Sequence, residues 1–467
     1  MSITKTFSEA REIVSRGGLV SEATEAALTA AHSKAELNAF LEVFDTSARE
    51  QAARVDTRVQ RGVAGPLAGL VISIKDNICY KGHRVSAGSR MLEGFTSLYS
   101  ATVVERLLAA DAVIIGRTNC DEFAMGSSNE NSAYGNVLNP LDKRMVPGGS
   151  SGGAAASVAA GIVHAALGSD TGGSIRQPAS FTGTVGFKPT YGRVSRYGLI
   201  AFASSFDQIG PFAHTVEDTA AVYQAMAGHD PLDSTTSRKP VEPVTLQHPG
   251  KLRIGYFREG IERPGMDPEV VAHIQAHIDR LQRDGHTVEP IEVPLLDHQV
   301  PTYYILATAE ASSNLARFDG IHYGHRSKDA KGVDGTYRLS RTEGFGPEVK
   351  RRILLGTFVL SAGYYDAYYA QAQRVRRILR NKTLEAFERF DIVLGPTCPT
   401  TAFAHGAISD PVAMYLQDIF TVQANLAGTP AISLPTGVHS NKLPFGVQLM
   451  AKPFEEARLL AAAKHLF

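Results

Sequence analysis

The chain has 467 residues, of which 43% are hydrophobic and 20% charged, and its 47 Lys and Arg balance 47 Asp and Glu. This is the composition of a globular protein with a large core, so it excludes a disordered chain. The balanced charge gives no general attraction to nucleic acids or anionic membranes, and a nucleic-acid role would therefore require a partner.

The first sixty residues are predicted to be mainly helical. Ala, Leu and Val recur at steps of three and four residues in EATEAALTAAHSKAELNAFLEVF, which is the period of an amphipathic helix. No apolar segment typical of a signal peptide follows the first basic residues, and no later stretch has the ~20 apolar residues of a membrane span. We expect a cytoplasmic protein with no membrane association that begins with a helical arm over residues 1–60.

A change of period after residue 60 predicts a β-α-β unit. The run LAGLVISIKDN (67–77) is rich in β-branched residues, SATVVERLLAAD (100–111) is amphipathic, and AVIIGRTN (112–119) is again apolar. Short apolar runs are typical of buried strands, and an amphipathic segment between two of them is typical of a crossover helix.

Short apolar segments separated by Pro and Gly continue to the end of the chain. This alternation predicts an α/β fold with a central mixed sheet covered by helices on both sides. No flexible linker divides the chain, so we expect residues 1–60 to belong to the same domain as residues 61–467. The polar segments 233–250 and 326–346 are predicted surface loops, the second long enough for a lid or a partner-facing loop.

The three cysteines are far apart and lack CxxC spacing. This arrangement argues against a zinc site or a disulfide scaffold and favours buried thiols in a reducing compartment. We expect inert thiols at Cys79, Cys120 and Cys398.

Two stretches, MVPGGSSGGAAAS (145–157) and GSDTGGSIRQP (168–178), place serine among glycines. Neither has the lysine of a phosphate-binding loop, and the polar sequence before Gly148 is not the buried strand that a GxSxG nucleophile elbow requires. Each stretch alone is compatible with a tight turn. Two together favour a site, in which the N–H groups of Thr171, Gly172, Gly173 and Ser174 converge as an oxyanion hole.

A serine nucleophile needs a base, and no histidine lies in a context that suggests a triad. The pair His273 and His277 lacks the HExxH pattern, so we predict a solvated helix face and no metal site. Lys75 ends the strand LVISIK and is either a strand terminus that reaches solvent or a buried base. A base would need its pKa lowered by burial, and Asp76 is expected to point to the opposite face, away from the ammonium.

Three segments together resemble the amidase signature family: GGSSGG (148–153), DTGGSIRQPA (170–179) and ISIKDN (72–77). The serines at 150 and 174 have the separation of that family. The resemblance covers nearly the whole chain and implies the amidase signature fold.

The resemblance implies a role for each matching residue. Ser174 is the nucleophile that becomes acylated, Ser150 is the bridging serine held by a cis peptide, and Lys75 is the terminal base. The backbone from Thr171 to Ser174 forms the oxyanion hole, and we expect Asp170 and Arg176 to brace this loop.

Longer segments resemble one branch of the family, the glutaminase subunits of tRNA-dependent amidotransferases. These segments are residues 116–140, 181–211, 310–320 and 348–373. The branch implies that the chain hydrolyses L-glutamine and passes ammonia to a partner that uses ATP and Mg²⁺ to convert Glu-tRNA(Gln) or Asp-tRNA(Asn). It implies two partner subunits, B and C, contact with mischarged tRNA through a partner, and no metal or cofactor in this chain.

Free glutamine carries an α-carboxylate and an α-ammonium, which call for a guanidinium and a carboxylate on the pocket wall. The resemblance implies an arginine in EVKRRI, a tyrosine in TYYIL and the aspartate in MYLQD. We predict Arg352, Tyr304 and Asp418, with Arg351 and Tyr303 as alternatives because one residue of register decides which side chain faces inward.

Three other functions remain open at this stage. One is a free-standing amidase of the same family that hydrolyses a small or aryl amide with the same catalytic residues. Another is an assembly protein without chemistry, which intact Lys75, Ser150 and Ser174 argue against. The third is a histidine-dependent esterase, which would require an essential histidine.

Overall fold

The computed structural model describes residues 3–467, which form a mixed sheet of eleven strands with α-helices on both faces. In chain order the strands are β1 (Phe40–Val43), β2 (Val71–Lys75), β3 (Val113–Thr118), β4 (Ala165–Asp170), β5 (Val185–Lys188), β6 (Gln208–Ala213), β7 (Arg253–Phe257), β8 (Thr287–Ile291), β9 (Ile392–Pro396), β10 (Ala431–Val438) and β11 (Pro444–Met450).

The sixteen α-helices of the described residues alternate with these strands. They are α1 (Phe7–Ser15), α2 (Val20–Ser33), α3 (Asp45–Gln60), α4 (Thr102–Ala109), α5 (Gly152–Ala159), α6 (Arg176–Thr182), α7 (Val216–Met226), α8 (Glu259–Glu262), α9 (Pro268–Arg283), α10 (Leu296–Asn314), α11 (Gly332–Gly344), α12 (Pro347–Leu360), α13 (Gln371–Arg389), α14 (Pro411–Tyr415), α15 (Val422–Ala427) and α16 (Glu456–Leu466). A π-helical segment, Tyr365–Ala370, precedes α13.

The strand order is β1-β3-β2-β4-β6-β5-β10-β11-β9-β7-β8. Strands β2, β3 and β4 are parallel, as are β7, β8 and β9, and the remaining neighbours are antiparallel. The parallel pairing of β2 with β3 through α4 confirms the predicted β-α-β unit. The predicted α/β architecture with a mixed sheet is likewise confirmed.

Successive residues of the central strands pack on opposite faces of the sheet. In β3, Val113 and Ile115 join an apolar cluster with α2, α3 and α5, whereas Ile114 joins a second cluster with α4, α7 and α16. Both faces are therefore buried, which explains why these strands are continuously apolar.

The prediction that the first sixty residues are mainly helical is confirmed over residues 3–60, but β1 was not predicted there. This strand pairs antiparallel with β3 at the sheet edge. The periodic sequence of this arm favours helix, and the ladder bonds to β3 override that preference. Residues 326–346 contain the helix α11, whose buried Thr336, Ser340 and Gly344 pack inward, so this segment is not a plain loop.

All three cysteines are buried, as predicted, and none forms a disulfide. None of the helices formed by residues 3–467 is long and apolar enough to cross a bilayer.

Candidate functional site

The candidate site lies where β2 and β4 end side by side. Ile74 of β2 pairs with Leu167 of β4, so the parallel strands bring Lys75 and Asp170 to the same edge of the sheet. The chain before α5 brings Ser150 to this edge, and the chain between β4 and α6 brings Ser174.

Lys75 is fully buried, and its ammonium group contacts hydroxyl groups instead of carboxylates. Its Nζ donates to Oγ of Ser150 at 2.7 Å, of Ser151 at 2.9 Å and of Ser169 at 3.0 Å. Within residues 3–467 no carboxylate oxygen lies within 4 Å of Nζ. Burial lowers the pKa of Lys75 to about 8, because neutral hydroxyls compensate the lost hydration of the charge only in part.

Asp76 points away from Lys75, as the alternation of a strand predicts. Its carboxylate accepts from Nη1 of Arg117 at 2.6 Å and from the N–H groups of Ser86 and Gly88. The carboxylate that follows Lys75 in sequence is thus neutralised elsewhere and does not hold the lysine in its charged form.

Ser150 follows a cis peptide bond from Gly149 and has no exposed surface. The N–H of Gly149 donates to Oε1 of Gln177 at 3.0 Å, and the carbonyl of Ser150 accepts from the N–H of Asp121 at 3.2 Å. A Cβ on Gly149 would lie 2.2 Å from Oδ2 of Asp121. Only glycine fits at position 149, directly before Ser150, and this explains one of the glycines of the motif.

Ser174 differs from Lys75 and Ser150 because 8% of its surface remains exposed, so a substrate can reach it. Its N–H group and those of Gly172 and Gly173 donate no hydrogen bond to any of the described residues, which leaves three donors free for an oxyanion. Gly173 has φ +150°, and a Cβ there would lie 2.3 Å from Oγ1 of Thr421. The loop therefore requires glycine both for its conformation and for its packing.

The Ser174 hydroxyl makes no hydrogen bond to Ser150 within the described chain. Catalytic hydrogen bonds are often long before substrate binds and shorten in the complex. The structure thus brings Lys75 and Ser150 into direct contact and leaves Ser174 at the exposed side of this pair.

Asp170 and Arg176 hold the two ends of the Ser174 loop together. Both are fully buried, and Nε and Nη2 of the guanidinium donate to the two carboxylate oxygens at 3.0 Å. Burial alone would raise the pKa of Asp170, but the adjacent guanidinium outweighs burial and lowers it. Arg176 also donates to the carbonyl of Thr421 and to Asn425 on α15.

Asp207 is a further buried carboxylate at this loop that the sequence analysis did not identify. It accepts from Oγ1 of Thr171 at 2.7 Å and from the N–H groups of Phe202 and Ala203. Burial raises its pKa to about 6. These contacts fix the first residue of the oxyanion loop.

Arg352 is a buried cation among the aromatic rings of Phe202, Tyr304 and Tyr415. It is buried, its Nε donates to Glu348 at 2.8 Å, and its guanidinium lies 5.1 Å from the ring of Tyr304 and 5.4 Å from that of Tyr415. Burial opposes the charge, but the surrounding Tyr304 and Glu348 raise the pKa of Arg352.

The side chains of Arg351 and Arg352 face opposite ways. The Arg351 side chain is 52% exposed and that of Arg352 is 4% exposed, so the predicted choice of Arg352 as the inward arginine is supported by burial. Tyr303 and Tyr304 are both buried. Tyr304 stacks on Tyr415 with ring centroids 3.8 Å apart, whereas the Tyr303 ring packs against Gly172.

Asp418 lies beside Gly173 of the Ser174 loop. Its Oδ2 accepts from Oγ of Ser127 at 2.7 Å, but its Oδ1 is buried and has no partner among residues 3–467. A Cβ on Gly173 would lie 3.0 Å from this Oδ1. Burial raises the pKa of Asp418 to about 7 although Arg352 opposes the rise. An unpaired buried carboxylate oxygen beside the Ser174 loop can accept from a cationic group of a ligand.

Several contacts of the site were missed from the sequence. Ser151 is the second serine of GGSSGG and Ser169 lies just before Asp170, so both belong to motifs already recognised. Glu348 stands four residues before Arg352, a spacing that predicts an ion pair on a helix. Asp207 carries no comparable signal.

The histidine pair His273 and His277 is half-buried against Phe445 and Phe467, so the prediction of a solvated helix face was wrong. Oγ1 of Thr436 lies 3.1 Å from Nε2 of His273. Among the described residues no group of three or more His, Cys, Asp or Glu side chains is placed to hold a metal ion.

Comparison with known proteins gives matches over most of the chain. The amidase family model matches residues 22–460. The A subunit of glutamyl-tRNA(Gln) amidotransferase from Koribacter versatilis is 56% identical over 92% of this chain and 90% of its own length. The protein of the same name from the Synechococcus strain RCC307 is 54% identical with the same coverage.

A crystal structure of the A subunit of glutamyl-tRNA(Gln) amidotransferase from Thermotoga maritima superposes with a TM-score of 0.81. It is 39% identical and the match covers 99% of this chain and 95% of that one.

Proposed function

Because this chain belongs to the amidase family, we propose that it is the glutaminase subunit of a tRNA-dependent amidotransferase. It hydrolyses L-glutamine to glutamate and supplies ammonia for the conversion of Glu-tRNA(Gln), Asp-tRNA(Asn) or both. The relatives from Koribacter and Synechococcus carry the name of such a subunit, which supports the proposal.

The observation that carries the proposal is the unpartnered Oδ1 of Asp418 beside Gly173, together with the buried guanidinium of Arg352. The α-ammonium of glutamine fits the carboxylate, and its α-carboxylate fits the guanidinium. With both groups bound, the side-chain amide can extend to Ser174. A simple amide lacks both charges and would leave Asp418 unpaired.

In the proposed acylation step, Oγ of Ser174 attacks the amide carbon of glutamine. The Ser174 proton passes to Ser150, whose own proton passes to neutral Lys75. The free N–H groups of Gly172, Gly173 and Ser174 stabilise the oxyanion of the tetrahedral intermediate. Lys75 then returns a proton through Ser150 to the departing nitrogen, so ammonia leaves and a glutamyl ester remains on Ser174.

In the second step water attacks this ester. Its proton follows the same route through Ser150 to Lys75, and the proton returned by Lys75 restores the Ser174 hydroxyl. Glutamate is released and the three side chains regain their starting states. No histidine takes part in this proposed route.

The other parts of the reaction are assigned to partners. We propose a cytoplasmic complex with subunits B and C, in which a partner binds the mischarged tRNA and uses ATP and Mg²⁺ to activate its aminoacyl carboxyl group. The sequence contains no phosphate-binding loop, so ATP is assigned to the partner.

The test is ammonia release from L-glutamine and, as the matched control, from butyramide, which lacks both α-substituents. We expect release from glutamine to exceed release from butyramide by at least ~100-fold, since two charge-assisted contacts are lost, and to rise when subunits B and C and mischarged tRNA are added. Equal, partner-independent cleavage of both amides would instead indicate a free-standing amidase.

Two variants complete this test. Ser174→Ala should abolish ammonia release with the fold intact, whereas Ser180→Ala, also at a buried serine of this region, should retain it. Near-normal turnover by Ser174→Ala would contradict the mechanism.

A further inference from the structure

A cavity of about 870 Å³ lies between α13, the end of α15 and the segment around Phe454. It is separate from the candidate site, and four arginines line it. We define this arginine groove by Arg374, Arg376, Arg377 and Arg380, with Tyr191 and Phe454 on the other wall.

The charge of the arginine groove is partly balanced at Arg376, whose partner Ser205 also donates to the carboxylate of Glu310. No Asp or Glu lines the cavity, and within residues 3–467 none of its four arginines has a carboxylate oxygen within 4 Å. The chain as a whole has no net charge, so these four cations are a local concentration that the composition conceals.

The groove has a fixed floor and an exposed rim. Arg376 is half-buried, with its guanidinium 4.0 Å from the ring of Phe206 and donating to the Ser205 carbonyl at 2.8 Å. Arg374, Arg377 and Arg380 line the rim and lie three residues apart on α13. A spacing of three residues sets them about 4.5 Å apart along the helix axis, so the row extends about 9 Å.

A row of unpaired arginines fits successive phosphates, because a guanidinium can bind two oxygens of each phosphate. Aromatic rings beside a basic row add faces on which bases can stack. The Phe454 ring also lies 5.3 Å from Nζ of Lys239, which brings a further cation to this wall.

We propose that the arginine groove binds the phosphate backbone of RNA. This inference rests on the proposed function, in which tRNA is part of the assembly, and it adds a direct contact between this chain and that RNA.

The experiment measures binding of fluorescein-labelled tRNA(Gln) by anisotropy at several salt concentrations, for the full chain alone and in complex with subunits B and C. The groove variant replaces Arg374, Arg377 and Arg380 with Ala. Arg376 is kept because its partner Ser205 lies two residues before Asp207. Asp207 accepts from Thr171 of the oxyanion loop, so a variant that keeps Arg376 leaves the support of this loop unchanged. The matched control replaces three exposed arginines near the N-terminal end of the chain, Arg11, Arg54 and Arg61, with Ala.

We expect the groove variant to bind RNA at least ~10-fold more weakly, whereas the control variant should bind like the unmodified chain. The dependence of log K on log salt should become less steep by about 2–3 in the groove variant, since each phosphate contact contributes about 0.7–0.9. Both variants should retain glutaminase activity, which shows that they are folded.

Equal RNA binding by the groove and control variants, alone and in the complex, would overturn the proposal. Poly-glutamate that binds the groove at least as tightly as RNA at near-physiological salt would overturn it in favour of an acidic protein partner. If glutamine is not hydrolysed but RNA binding still requires the groove arginines, the proposed function fails and the RNA site stands.

Discussion

Lys75 and Arg176 are both fully buried cations beside the same serine loop, yet their surroundings differ. Lys75 has three hydroxyl partners and no carboxylate, whereas Arg176 forms a two-oxygen pair with Asp170. The pKa of Lys75 falls to about 8 because of burial, so this side chain can exchange a proton near neutral pH. Arg176 is held by this ion pair and acts as a brace. Two equally buried cations thus have different roles, and the groups that contact each cation decide its role.

Keeping Lys75 protonated at neutral pH costs the folded state about 3 kcal/mol, since each pKa unit corresponds to about 1.36 kcal/mol. Lys188 shows that such a shift does not by itself mark a catalytic residue. It is fully buried, burial lowers its pKa to about 7, and it donates to the carbonyls of Pro189 and Thr429. What distinguishes Lys75 is its contact with Ser150.

The largest expected effect tests this distinction. Lys75→Met should reduce glutamine hydrolysis by at least ~10³-fold, because the relay loses its base. Its melting temperature should not fall, since the variant also removes a buried charge. Lys188→Met, the same substitution at a second buried lysine, should retain activity within about tenfold of the unmodified chain. Comparable losses in both variants would show that the two lysines do not differ as proposed.

The second prediction concerns the ion pair between Asp170 and Arg176. Asp170→Asn leaves the Arg176 charge buried without its carboxylate and should lower the free energy of unfolding by about 3–5 kcal/mol. Urea denaturation measures this change. The control is Asp142→Asn, which removes a surface ion pair with Arg144 and should lower the free energy of unfolding much less, because solvent screens such a pair. A loss at Asp170 no larger than at Asp142 would contradict the brace.

The third prediction concerns Asp418. Like Lys75, it is a buried ionisable group without an ionic partner, but its charged form is an anion. Asp418→Asn should raise KM for L-glutamine about 10–100-fold, since a hydrogen bond between charged groups contributes about 1.5–3 kcal/mol. Turnover of butyramide should not change. Asp410→Asn, an aspartate that caps the nearby α14, is the control because Asn caps equally well. An unchanged KM in Asp418→Asn would exclude the proposed ammonium site.

The smallest effect is the dependence of kcat/KM on pH. Lys75 is active when neutral and Asp418 when ionised, so kcat/KM should rise with pH through about 7 and about 8 and then level off. A change of one pH unit alters the rate about tenfold on the Lys75 limb. Asp418→Asn should remove the limb near 7, whereas Lys188→Met should leave the profile unchanged. A profile that falls between about pH 6 and pH 8 would contradict both assignments.

The polar residues at the centre of the site could be predicted from the sequence better than the residues that hold them in place. The positions of Lys75 and Ser150 could be predicted because short motifs and strand alternation are local properties, and the outward turn of Asp76 follows from the same alternation. Asp207 could not, because its contact with Thr171 joins the end of β4 to a loop 36 residues later and leaves no periodic signal. Burial in three dimensions, not sequence spacing, distinguishes Arg352 from Arg351.

The fold shows the same division. Strands that alternate with helices were predicted, whereas β1 and α11 were missed because their structure depends on contacts with distant segments. The order of strands in the sheet was not predicted for the same reason.

The strand order has a consequence for synthesis on the ribosome. Strands β1 to β6 and strands β7 to β9 are joined in the sheet only by β10 and β11, which are made last. At about 5–20 residues per second, on the order of ten to fifty seconds pass between the emergence of β5 and that of β10. During that interval β5 has an unpaired edge, and β9, which is made shortly before β10, adds a second one near its end; such edges are surfaces on which chains associate wrongly. The nascent chain therefore keeps the edge of β5 open until its C-terminal hairpin, β10 and β11, closes the sheet.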